Sequence, residues 1–67
     1  MENKEFNTLI VIGLTEYDAI EVLEDNGFSF VRTVERDGKL VNQSDKKNDE
    51  WFNLFVADDK VFKFSRG

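Results

Sequence analysis

The chain contains no cysteine and no histidine. Together these absences remove Ser-His-Asp and Cys-His nucleophiles and the common zinc sites, all of which need an imidazole or a thiolate. Small secreted domains often rely on disulfides, so the lack of cysteine favours an intracellular, cytoplasmic setting. Glycine is scarce as well. Gly13, Gly27, Gly38 and Gly67 are isolated from one another, and none belongs to a phosphate-cradling loop. Long apolar runs are missing: the longest stretch, LIVIGL, falls far short of the ~20 residues of a membrane span. The opening MENKEF lacks the basic start of a signal peptide. Basic excess is absent too. The net charge is −5 with a pI near 4.5, which argues against nucleic-acid binding and fits a solvated acidic surface.

Oxygen ligands occur in Asp25–Gly27 and in residues 45–50, but without the spacing of a calcium loop. The pair Asp58–Asp59 reads as a turn. The expectation is therefore a protein that is not an enzyme and that holds no cofactor or metal.

What is present is apolar mass and mixed charge. Hydrophobic residues make up 40% of the 67 residues and seven are Phe, enough for one small dense core. Charged residues reach 34% but carry both signs, so a folded domain, monomeric or homodimeric, is expected rather than a disordered chain. The chain divides into a frayed N-terminus over 1–5, a single domain over 1–67 and an exposed polar loop over 42–50.

The order of elements follows from patterning. FNTLIVI, Phe6–Ile12, is rich in β-formers and reads as a strand or an extended entry segment. GLTEYDAIEVLEDNG reads as a helix. Thr15 is its N-cap, Asp18 completes a weak capping box, and Leu14 and Ala19 are placed as a hydrophobic staple. Ala19, Ile20 and Leu23 share one face, and Gly27 supplies a left-handed stop. FSFVRTVER, Phe28–Arg36, reads as a strand followed by an Asp37–Gly38 turn, after which KLV continues or leaves the sheet. WFNLFVA is a further strand with Phe52, Leu54 and Val56 on one face and Trp51, Asn53 and Phe55 on the other. Asp58–Asp59 turns the chain into a last strand, KVFKFS. The fold class expected is α+β: one helix packed on a small twisted mixed sheet with a long exposed loop.

In that order, GLTEYDA entering the helix, VERDG leaving the next strand, FNLFV after the polar tract and Gly67 resemble the potato inhibitor I family of serine-protease inhibitors and its bacterial relatives. The resemblance covers about Ile12 to Gly67, and the spacing from Arg36 to Val56 fits without a gap. It implies that VNQSDKKNDEW contains a reactive-type loop offered to a protein partner, a serine protease, with Gln43, Ser44, Asp45, Lys46, Lys47 and Asn48 as the binding residues. By the same carry-over Asp45 takes the primary specificity position and Lys46 the leaving-group side, while a shift of one residue would present Lys46 instead. Where the family braces its loop with arginines, this chain has Asn48, Trp51 and Asn53, so Trp51 packing with Phe55 is expected to replace ionic by apolar bracing. Two other roles fit the same scaffold: a non-inhibitory binding or regulatory module, and a homodimer built on the LIVI edge or the aromatic face.

Overall fold

The structure, a computed structural model, describes residues 7–42 and 50–67. The helix α1 spans Glu16–Asp25. Its ends are built as the local sequence dictates. The Thr15 hydroxyl accepts the Asp18 amide at 3.1 Å, which satisfies one of the free donors of the first turn. At the other end Gly27 adopts φ +95°, its N–H donates to the Glu24 carbonyl, and the Phe28 N–H donates to Leu23. This is a Schellman stop, and Phe28 then turns inward onto the core.

Among the described residues four strands form one sheet: β1 (Val31–Arg36), β2 (Lys39–Leu40), β3 (Phe52–Ala57) and β4 (Lys60–Arg66), in the order β2-β1-β3-β4. β1 pairs antiparallel with β2 and parallel with β3, and β3 pairs antiparallel with β4. Both hairpins turn on two residues of positive φ, Asp37 (53°) with Gly38 (84°) and Asp58 (53°) with Asp59 (66°). That left-handed pair matches the right-handed twist of the strands it joins. The two turns lie side by side, with the Asp58 amide donating to the Asp37 carboxylate at 2.8 Å.

One face of the sheet packs on α1. Phe52, Leu54, Val56 and Val61 from the strands meet Ala19 and Leu23 from the helix and Val11 from the entry segment, all of them buried. The helix and the mixed sheet thus make the single α+β domain expected from the pattern. No helix among the described residues is long and apolar enough to cross a membrane.

The entry segment departs from expectation. Instead of a strand over Phe6–Ile12, Thr8–Val11 form a short 3-10 helix, its start capped by the Asn7 side chain; Phe6 lies outside the described residues. The reason is competition for the sheet edge. The outward N–H and C=O of Val61 on β4 are already bonded to the Leu14 carbonyl and the Gly13 amide, at 2.9 and 2.8 Å. With that site occupied, the residues before Gly13 have no strand partner there. They fold over the core through Val11 and leave Leu9, Ile10 and Ile12 exposed. The strand read as Phe28–Arg36 begins only at Val31, because Phe28 serves the helix stop.

Helix and sheet are also tied by charge. Glu16, at the first position of α1, accepts from the buried Thr33 hydroxyl at 2.6 Å and from Arg36 Nη2 at 2.6 Å. The Arg36 hydrogen bond lowers the Glu16 pKa below its ordinary value of 4.5; burial opposes the shift and the Thr33 bond assists it. A lowered folded pKa means that Glu16 contributes stability above that ordinary value and loses it as the pH falls through the folded one. Urea unfolding at a series of pH values is therefore expected to show a drop in midpoint beginning below 4.5. The Glu16→Gln variant should show a shallower drop, whereas an unchanged acid limb would mean that the contact contributes nothing to stability.

Candidate functional site

The segment singled out by sequence connects β2 to β3. β1 lies between β2 and β3, antiparallel to the first and parallel to the second, so the chain leaves β2 and enters β3 at the same end of the sheet. Gln43, Ser44, Asp45, Lys46, Lys47 and Asn48 lie outside the described residues. What the structure defines is how the chain leaves at Asn42 and returns at Glu50 and Trp51.

The departing end is held on β1. The Val41 amide bonds the Val34 carbonyl at 2.9 Å. Asn42 adopts φ 52° and its side-chain amide donates to the Thr33 carbonyl at 3.0 Å. Asparagine tolerates this left-handed geometry better than most residues because its short amide can bond the nearby backbone.

The returning end is held from three directions. Trp51 meets Phe30 edge-to-face at 5.5 Å, and the Arg32 guanidinium lies over the indole at 4.4 Å. The Trp51 carbonyl accepts from the Gly67 amide at 2.9 Å, and the next residue, Phe52, donates its N–H to Phe30 at 2.7 Å. Asn53 is the hub. Its Oδ1 accepts from Arg32 Nε at 2.6 Å, while its Nδ2 donates to Ser65 Oγ at 3.3 Å and to the Gly67 carbonyl at 3.1 Å. Although it points away from the helix, Asn53 is only 5% exposed. A buried amide in hydrogen-bond reach of both its oxygen and its nitrogen partners fixes orientation as well as position.

The predicted support residues are therefore only partly related as expected. Trp51 and Asn53 do converge on the returning end, but Phe55 does not join Trp51. It lies two strand repeats beyond, paired with Phe62 at 6.4 Å and covered by Lys63 Nζ at 4.8 Å. An arginine is nonetheless present at the returning end, supplied by β1 rather than β3, and it meets a neutral amide and an indole rather than a carboxylate. Arg32, Phe30 and Ser65 escaped sequence reasoning. The alternation of β1 sets Arg32 on the face opposite Thr33, yet its pairing with Asn53 follows from the parallel register and carries no local mark.

Beside this end a cleft of about 180 Å³ is lined by Gly27, Phe28, Ser29, Phe30, Glu50 and Arg66. The Arg66 guanidinium stacks over Phe28 and Phe52, at 5.2 and 5.1 Å. Among the described residues no group of acidic side chains is arranged to hold a metal ion. Searches against known protein families, characterised proteins and solved structures return no match.

Proposed function

We propose that the 42–50 segment is a presentation loop, engaged by a serine protease as a substrate-like peptide and held so that release is slow, as in inhibitors of the potato inhibitor I type. The observation that supports this reading most is the bracing of the returning end by Arg32, Asn53 and Gly67. A peptide whose ends are fixed before the encounter loses less conformational entropy on binding, so more of the contact energy appears as affinity. The same fixation keeps the two halves of a cut bond close enough to rejoin. The strand pairing supports it further, since it sets the departure at Asn42 and the return at Trp51 at the same end of the sheet.

Titration against subtilisin, trypsin, chymotrypsin and an acid-directed serine protease, followed by mass analysis, tests the proposal. The expected result is a one-to-one loss of activity of at least one enzyme, with a single slow cut at 45–46 or 46–47. Replacement of Asp45 or Lys46 by Ala should abolish or redirect it, according to which one occupies the specificity pocket. Rapid cutting within 44–47 by several enzymes, with full activity retained, would overturn inhibition.

A further inference from the structure

Charge is segregated by layer in this molecule. The helix carries Glu16, Asp18, Glu21, Glu24 and Asp25 and no base. The strands carry six bases against the single acid Glu35; Arg32, Lys60 and Lys63 lie on the face away from α1, whereas Arg36, Lys39 and Arg66 lie on the helix side. The solvent stripe of α1 presents Tyr17, Asp18, Glu21, Glu24 and Asp25.

The opposite surface of the molecule is the face of the sheet that α1 does not cover. Strand pairing sets Phe55 opposite Lys63 and Ala57 opposite Lys60 there, with Glu35 opposite Leu40. Phe62, in the bulge of β4, lies against Phe55. Leu40 is 68% exposed and Phe62 49%. The parallel pair lies at the centre of the sheet, and among the described residues no helix or strand covers this face.

We propose that this face docks the acidic solvent stripe of α1 from a second copy of the chain, head to tail, so that the sheet lies between two helices. Charge complementarity selects this occupant. Glu21 and Glu24 would meet Lys60 and Lys63, while the Tyr17 ring would cover part of the Phe55, Phe62 and Leu40 surface. A symmetric pairing of two sheet faces would set Lys60 and Lys63 against their own kind, and like charges in contact disfavour that arrangement. Because the two surfaces lie on opposite sides of the molecule, the contact is heterologous and adds copies one after another instead of stopping at two. The proposal is independent of the loop, since Lys60, Lys63, Glu21 and Glu24 take no part in bracing it.

Sedimentation velocity over a concentration series tests it. At ~0.01 M salt, where the Debye length is about 30 Å, mass is expected to rise with concentration beyond the dimer, and at 1 M (about 3 Å) to return to the monomer. Two double variants, Lys60→Glu with Lys63→Glu and Glu21→Lys with Glu24→Lys, should each weaken self-association on the order of a hundredfold. Mixed in equal amounts they should associate again, because each restores the other's complement. All four side chains are exposed, so the variants are expected to remain folded, which thermal melts verify. A wild-type chain that stays monomeric at low salt up to millimolar concentration would overturn the proposal. So would a species that stops at two copies, or one that ignores both double variants.

Discussion

Replacing Phe52 by Ala is expected to remove between about a third and all of the stability of the fold. Phe52 is fully buried, and its ring lies 5.3 Å from Phe28 and 5.0 Å from Phe64. It thus joins the helix stop, β3 and β4 in one contact. Truncating a buried Phe costs about 3–5 kcal/mol through lost transfer energy and the cavity left behind. Stability of roughly 0.05–0.15 kcal/mol per residue gives a domain of this size only about 3–10 kcal/mol in total. The Arg66 guanidinium would lose one of its two aromatic faces as well. A thermal melt followed by circular dichroism should fall by at least about 12 °C, taking 4–8 °C per kcal/mol for small domains. Phe62→Ala is the control: that ring is half exposed, and its loss should shift the midpoint by only a few degrees. Equal shifts for the two variants would contradict the packing described.

The second large effect is expected from Asn53→Leu. Leucine has the branched skeleton of asparagine but bulkier methyl ends, so no cavity is left: the loss is polar, and overpacking of a side chain only 5% exposed adds to it. The change removes a partner from the half-buried Arg32 Nε and from the exposed Gly67 carbonyl, and it puts an apolar side chain in the middle of a polar network. Each buried group left unsatisfied costs about 1–3 kcal/mol, more for a charged one. A loss of about 1–3 kcal/mol is the expected total, because the half-buried Arg32 and the exposed Gly67 can both turn to water. Asn53→Asp separates the two halves of the network. It keeps the acceptor for Arg32 but removes the donor to Gly67 and Ser65, and it should fall between wild type and Asn53→Leu. Urea unfolding measures the stability, and the fluorescence of Trp51, the only tryptophan, reports the local change because its backbone and ring share the same partners. If the loop reading is correct, Asn53→Leu should also convert slow cutting near 45–46 into rapid cutting. Stability and cleavage are read separately, so a stability loss with unchanged cleavage would leave the network structural and count against its role in presentation.

These two residues divide the work of β3. Phe52 faces the helix and holds the layers together, whereas Asn53 faces the other way and ties β1, β3 and β4 at the end where the chain returns from the 42–50 segment. Destabilising the first should affect every probe of folding alike. Destabilising the second should act first on Trp51 and on the residues next to it, because its partners are confined to that end.

Where the signal is local, it could be read before any coordinates. The helix is written in Thr15, Asp18, Ala19, Leu23 and Gly27 because caps, staple and apolar stripe act over three or four residues. The inward face of β3 is written in the alternation of Phe52, Leu54 and Val56, and the turns in Asp37–Gly38 and Asp58–Asp59, where the chain demands left-handed backbone. Tertiary structure alone decided the rest. Thr8–Val11 carry strand-forming residues but coil into a 3-10 turn, because Gly13 and Leu14 already occupy the edge of β4 at Val61. Arg32 braces the returning chain because parallel pairing sets it beside Asn53, 21 positions away, and no pattern within either strand specifies that neighbour. Trp51 and Phe55 share a face by alternation, yet each packs with a residue of another segment, Phe30 and Phe62. Short-range preferences choose the elements; which surfaces meet is settled by the competition among them for the same edges and the same core.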